Sequence, residues 1–273
     1  MSDPIALQAN GLTLSYSGAS PVIKDMDLSI PKGRFTALLG PNGSGKSTLL
    51  KGFGRILTAQ SGRVILEGED IAALPAKALA RRISMLAQNA QAPEGLTVSD
   101  LVRQGRYPHR SVLGGWTAED GNSVSHALEL TGLTNMQSKR LDTLSGGQRQ
   151  RAWIAMTLAQ EGEVMLLDEP TTFLDLAHQI DILALVRGLM ERRGATVVAV
   201  LHDINQAART ADHVVLLKDG QVAAEGAAKE VLNAENVLNV FGVPVTVIPD
   251  PETGAPLIIP RAATSQPSNS DNA

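Results

Sequence analysis

The chain has 273 residues, length for one large domain or two small ones, and at 43% hydrophobic and 19% charged it has enough apolar mass for a substantial core. The absence of cysteine excludes disulfides and Cys-ligated zinc or iron–sulfur clusters and fits a reducing compartment, and a net charge of −4 argues against a duplex-binding protein built on a broad basic face. The start, MSDPIALQAN, lacks the basic and apolar regions of a secretion signal, and no apolar run approaches the roughly 20 residues of a membrane span, so a soluble protein that reaches any membrane through a partner is expected.

Residues 5–16, 22–30 and 63–66 are short, partly alternating and bounded by Gly, Pro, Ser and Asp, which predicts antiparallel strands. Between them RFTALL at 34–39 is a nearly continuous apolar run, suited to a strand buried on both faces. A glycine-rich loop follows, then TLLKGFGRIL, whose Leu49, Leu50, Phe53, Ile56 and Leu57 recur at helical spacing. From about 90 to 160 the pattern is helical. Thr97 caps one segment, and Thr117 with Asp120 makes a capping-box pattern for the next.

Beyond 161 strand and helix alternate. Residues 164–167 and 196–201 read as buried strands, separated by a helix with Leu176, Ile180, Leu183, Val186 and Met190 on its apolar face and Arg192, Arg193 and Gly194 at its end. Residues 214–217 and 221–224 flank Asp219-Gly220 as a hairpin, and 262–273 has the composition of a disordered tail. The expected architecture is α/β: a mainly parallel sheet, an antiparallel β layer near the N-terminus and an inserted helical subdomain.

Residues 40–48 read GPNGSGKST and satisfy G-x-x-x-x-G-K-[ST], between a predicted strand and a predicted helix. Gly40, Gly43 and Gly45 permit close backbone approach, so in the loop that continues through Pro41 the N–H groups of Asn42, Ser44 and Thr48 can wrap a phosphate at the helix start. Lys46 would reach the β- and γ-phosphates, and Ser47 would place its hydroxyl on Mg²⁺. Downstream, VMLLDEP puts two carboxylates at the end of a buried strand, the rim where such sheets bind ligands. Asp168 would hold Mg²⁺ through water. Glu169 would serve as the general base, with a carboxyl pKa raised by burial beside the triphosphate.

A second anion site follows from LSGGQ at 144–148, ahead of a helical segment: Ser145 caps, Gly146 and Gly147 leave N–H groups open to phosphate oxygens, and Gln148 completes the turn. One triphosphate needs only one phosphate loop. Two such helix starts in one chain are best explained by two chains arranged head to tail, each supplying the half-site the other lacks.

Taken together, GPNGSGKST, LSGGQ, VMLLDEP, Phe173-Leu174-Asp175 and Val200-Leu201-His202-Asp203 resemble the ATP-binding subunit of ABC transporters, over about residues 5–260. The resemblance implies a P-loop ATPase core as a single domain at 5–261, ATP and Mg²⁺ as ligands, and a homodimer. It makes Gln88 the glutamine that contacts Mg²⁺ and the attacking water, although Gln91 lies nearby and Ala87 stands where many relatives have proline. It makes His202 the switch histidine on the γ-phosphate, Asp175 the aspartate that couples the paired sites, and Tyr16 the aromatic stacked on adenine. Without the resemblance, His202 and Tyr16 also fit packing roles after or within strands.

RQGRYPHR at 103–110 and TTFLDLAHQIDIL at 171–183 look like ATPases of iron–siderophore importers, a group that includes haem and cobalamin importers. The implied partners are integral membrane permease subunits with a substrate-binding protein, the implied place is the cytoplasmic face of the cell membrane, and no direct contact with nucleic acid is implied. Arg103, Arg106, His109 and Arg110 form a basic cluster expected on the permease-facing subdomain. The rival readings are an importer ATPase for haem, cobalamin or a metal ion, a soluble ABC ATPase acting on nucleic acid, and a P-loop kinase, which would have no use for LSGGQ.

Overall fold

The computed structural model describes residues 4–88, 93–111, 115–172 and 174–261; Gln91, Phe173 and the tail expected at 262–273 lie outside them. In chain order the elements are β1 (Ile5–Leu14), β2 (Ile23–Pro31), β3 (Phe35–Leu39), α1 (Lys46–Phe53), β4 (Ser61–Leu66), β5 (Glu69–Asp70), α2 (Ala76–Arg82), β6 (Ile83–Leu86), α3 (Val98–Gln104), α4 (Ala118–Leu130) and α5 (Gly146–Ala159). They continue with β7 (Val164–Asp168), α6 (Leu176–Arg193), β8 (Thr196–Val200), α7 (Ile204–Thr210), β9 (His213–Lys218), β10 (Gln221–Gly226), α8 (Ala228–Val231), α9 (Ala234–Phe241), β11 (Val245–Pro249) and β12 (Pro256–Pro260).

One sheet has strand order β10-β9-β3-β8-β7-β6 and is parallel except for the β9–β10 hairpin at its edge. A second, antiparallel sheet runs β2-β1-β4-β5. Every residue of β3, β7 and β8 is buried, because both faces of the parallel sheet are covered. Alternation divides the faces: Leu38, Leu166, Val198 and Val215 join α1 and the antiparallel sheet in one core, while Ala37, Leu167, Ala199 and Leu216 join the helices in the other. The helices α3–α5 lie between β6 and β7 in sequence, although those two strands are paired neighbours. They are the inserted helical unit.

Several local expectations hold for the stated reasons. Thr97 and Thr117 each close a capping box, with Asp100 and Asp120, and Ser145 does the same for α5 with Gln148, each cap stabilising its helix by about 1 kcal/mol. Gly194 ends α6 in the left-handed region, and Asp219-Gly220 turns the β9–β10 hairpin with both φ angles positive, at 52° and 81°.

Three expectations need correction. The first helix stops at Phe53, where Gly54 caps it and Arg55 turns left-handed, so Ile56 is 64% exposed instead of continuing the apolar face. On α6 the buried arc runs through Ile182, Leu183, Val186, Leu189 and Met190; at about 100° per residue Leu176 and Ile180 fall outside it and are exposed. Arg106 is not a surface charge. It is 1% exposed, donates from Nε to Asp120 at 3.0 Å and from Nη1 to Glu161 at 2.6 Å and the Ala159 carbonyl at 2.8 Å, and so ties α3 to α4 and the end of α5. His109 is likewise occupied, with Nε2 at 2.8 Å from the Gln160 carbonyl, and Arg103 stacks on Trp116 at 4.1 Å. The apolar β6 and the terminal β11–β12 hairpin went unread in the sequence. The hairpin grips α7, where Asn205 donates to the Ile258 carbonyl at 3.2 Å and accepts from its N–H at 2.8 Å.

Candidate functional site

The strands β3, β8, β7 and β6 are adjacent and parallel, so their C-terminal ends open on one edge of the sheet. The 40–48 loop follows β3, His202 follows β8, Asp168 and Glu169 end β7, and Gln88 follows β6. Topology alone thus gathers residues spread over more than 160 positions, at the place where open α/β sheets bind ligands. A cavity of about 490 Å³ opens there, lined by Asn42, Gly43, Gly45, Lys46, Ser47, Thr48, Gln88, Glu169 and His202. Its size lies within the range of small-molecule sites.

The loop is held from behind. A Cβ on Gly40 would lie 2.2 Å from the Leu217 carbonyl of β9, so only glycine fits where φ is also 151°. The tip of the β9–β10 hairpin presses on the same loop: the Gly220 N–H donates to the Ser44 carbonyl at 3.2 Å, and the Gly220 carbonyl accepts from the Lys24 N–H at 3.3 Å. Gly45, at φ 101°, starts α1 with no side-chain cap, so the first N–H groups of that helix are left for a ligand. The buried Ser44 hydroxyl has no hydrogen-bond partner among the described residues. Lys46 is buried and folds over its own loop, Nζ donating to the carbonyls of Gly40 at 2.8 Å and Pro41 at 2.9 Å. Burial pushes its pKa down, with Glu169 and Asp168 opposing. An uncapped helix start, an orphan hydroxyl and a confined ammonium are what a phosphate chain would satisfy.

Opposite the loop, Ser47 Oγ donates to Asp168 Oδ1 at 2.7 Å. Asp168 is buried, and burial raises its carboxyl pKa despite the Ser47 bond. Glu169 sits at φ 55°, a left-handed conformation costly for a non-glycine residue, which turns its side chain out of the strand line into the cavity. His202 Nε2 lies 2.8 Å from Glu169 Oε1, Thr172 Oγ1 donates to Oε2 at 2.9 Å, and the Gln88 side chain bonds the same carboxylate. Burial pushes the Glu169 pKa up, but these three bonds outweigh it and hold the carboxyl below its usual range. The expected raised carboxyl therefore belongs to Asp168, and Glu169 is the reverse. Thr172 escaped the sequence reading. Its only signal was its place two residues after Pro170 in the stretch that follows the acidic pair.

Tyr16 is 41% exposed just beyond β1, its hydroxyl 3.4 Å from Thr48 Oγ1 and its ring below Lys51 Nζ at 5.6 Å. That places one aromatic beside the last loop residue. The remaining predicted residues lie elsewhere. Ser145 caps α5 by accepting from the Gln148 N–H at 3.3 Å, Gln148 Oε1 accepts from the Ser145 N–H at 3.2 Å, and Gly146 is exposed while Gly147 is buried. Asp175 caps α6. Neither Asp175 nor any of Ser145, Gly146, Gly147 and Gln148 is among the described residues lining the cavity.

Comparison with known proteins extends these observations. The family model described as "ABC transporter" matches residues 23–172. The ferric enterobactin transport ATP-binding protein FepC of Escherichia coli (strain K12) is 48% identical over 266 residues, 97% of this chain and 98% of that protein. The probable siderophore transport system ATP-binding protein YusV of Bacillus subtilis (strain 168) is 49% identical over 256 residues, 94% of this chain and 93% of that protein. Among solved structures, a candidate metal-chelate type ABC transporter in an inward-facing conformation superposes with a TM-score of 0.81 at 29% identity, covering 95% of this chain and 98% of the other. The dimeric bacterial ABC transporter cassette MJ0796 gives 0.72 at 30% identity, covering 81% and 98%.

Proposed function

Because the chain belongs to the ABC transporter family, as one of its ATP-binding subunits, we propose that it powers an importer of ferric–siderophore complexes through a separate membrane permease. It binds ATP and hydrolyses it to drive transport. The observation that carries the reading is the division of the site: the phosphate loop, Gln88, Glu169 and His202 share one cavity, while the serine-capped start of α5 and Asp175 stand outside it. A head-to-tail homodimer brings the second set of one copy onto the nucleotide held by the first set of the other. The dimeric cassette among the structural relatives supports that arrangement. The names of the sequence relatives support the cargo.

In that dimer Lys46 leaves its loop carbonyls for the β- and γ-phosphates, and the N–H groups from Asn42 to Thr48 surround them. Tyr16 stacks on the adenine. Ser47, Asp168 and Gln88 would hold Mg²⁺ together with phosphate oxygens and water, and the ion would neutralise charge as the γ-phosphoryl group leaves. The described residues contain no cluster of three His, Asp or Glu able to hold a metal alone, which suits a hard cation that takes most of its ligands from phosphate and water. Glu169 accepts the proton of the attacking water, His202 orients Glu169 and meets the γ-phosphate, and ADP leaves with the bridging oxygen.

No helix among the described residues is long and apolar enough to cross a membrane, so attachment to the cytoplasmic face runs through the permease, with a substrate-binding protein delivering cargo. The test is uptake of labelled ferric siderophore by cells whose only copy carries Lys46→Ala. Uptake is expected to stop. Normal siderophore uptake with loss of haem or cobalamin uptake would reassign the cargo.

A further inference from the structure

An imidazole joins the start of α5 to the start of α6 within one chain. Asp175 Oδ1 accepts from the His178 backbone N–H at 2.9 Å and lies 2.7 Å from His178 Nδ1. The other side of the ring rests on Gly147, where a Cβ would come within 2.8 Å of Cδ2, 3.2 Å of Cγ and 3.3 Å of Nε2. Glycine at 147 therefore does more than free an N–H group: its missing side chain is the seat of the ring. Two further links flank this contact: Gln150 Nε2 donates to the Pro170 carbonyl, in the segment between β7 and α6, at 2.9 Å, and Arg151 joins α5 to Asp181 of α6 at 2.9 Å. His178 is the residue that touches both the capping aspartate and the serine–glycine turn.

We propose that His178 is a positioning residue that locks Ser145, Gly146, Gly147 and Gln148 to Asp175 as one rigid unit, so that a second copy of this chain meets both together. This rests on the reading that these residues complete the partner copy's ATP site. The carboxylate bond at Nδ1 fixes where the ring points, and the packed glycine fixes how far the turn stands from it. Without the ring, the turn and the aspartate lose their direct link and are tied only through the more distant Gln150–Pro170 and Arg151–Asp181 contacts. A misplacement of about 1 Å in such groups costs on the order of 10²-fold in rate.

Three variants of the full chain separate the two halves of the link. His178→Ala should speed backbone hydrogen exchange about tenfold in residues 144–149 and in 174–179 together, while residues 40–48 keep their native rate. His178→Leu refills the space over Gly147 without a hydrogen bond and should restore the first segment only. His178→Asn keeps a donor for Asp175 without the ring and should restore the second only. In hydrolysis, His178→Ala should lower kcat by about 10- to 100-fold and leave the KM for ATP within about twofold, because its own phosphate loop is untouched. Unchanged exchange in either segment of the alanine variant overturns the proposal, as does a KM that rises in step with the lost kcat. Ser145→Arg tests the composite site separately. If it hydrolyses ATP normally, the shared-site reading fails, while exchange in the unassembled chain still decides whether His178 is the lock.

Discussion

Glu169 and His202 face each other 2.8 Å apart across the ends of two neighbouring parallel strands, Oε1 against Nε2. The register pairs Asp168 of β7 with Val200 of β8, so Glu169 lies one residue beyond its strand and His202 two beyond hers. The left-handed turn at Glu169 swings the carboxylate sideways to meet the ring. Strand register and one strained backbone angle build this pair; no adjacency in sequence does.

Glu169→Gln keeps the size and shape of the side chain, but it replaces one acceptor oxygen with an NH2 donor and cannot accept a proton. It is expected to bind ATP as the wild type does, to lose about 10²- to 10⁴-fold in hydrolysis and to accumulate as an ATP-bound dimer on size exclusion. Turnover near the wild-type rate would remove Glu169 from the role of base.

Acid inactivation tests the same pair by another route. A base with a depressed carboxyl pKa works above that value and fails as pH falls through it, so the acid limb of kcat/KM, which reports the free enzyme, should lie below the usual glutamate range. Burial alone would raise this carboxyl; His202, Gln88 and Thr172 bring it down. His202→Ala removes one of the three and should move the acid limb towards neutral pH, in addition to slowing the reaction. A pH–rate profile whose acid limb stays put in that variant would show that the histidine does not set the base.

Arg106 poses a question of stability instead of docking. Its guanidinium is enclosed between Asp120 and Glu161, and Arg106→Ala leaves the buried Asp120 without that partner. A loss of about 3–5 kcal/mol in unfolding free energy is expected from urea titration, and Arg106→Met, which refills the volume, should lose less. If the alanine variant unfolds like the wild type yet uncouples transport, the residue belongs to the permease-facing surface after all.

Much of this molecule was legible in its sequence, for identifiable reasons. The 40–48 loop could be read because its glycines, lysine and serine each have a local task, and Thr97, Thr117 and Ser145 because caps act within one turn. Periodicity misled where burial depends on neighbours: Leu176 and Ile180 are apolar but lie beyond the buried arc of α6 and are exposed. Charge misled at Arg106 for the opposite reason, since its acidic partners lie 14 and 55 residues away and only the packing of α3 against α4 and α5 unites them. The direction of the Glu169 shift was likewise out of reach, because its three hydrogen-bond partners come from three separate segments.

The Asp219-Gly220 turn sits at the margin of the parallel sheet and lines no part of the catalytic cavity, yet its Gly220 amide bears on the Ser44 carbonyl and a Cβ there would lie 1.9 Å from the Val22 carbonyl. The proposed nucleotide loop is thus backed from outside, and damage to the backing should be felt by a nucleotide bound there. Gly220→Ala is expected to weaken ATP capture in an equilibrium binding titration while leaving every residue proposed to meet ATP unaltered; undiminished affinity would show the backing to be ornamental.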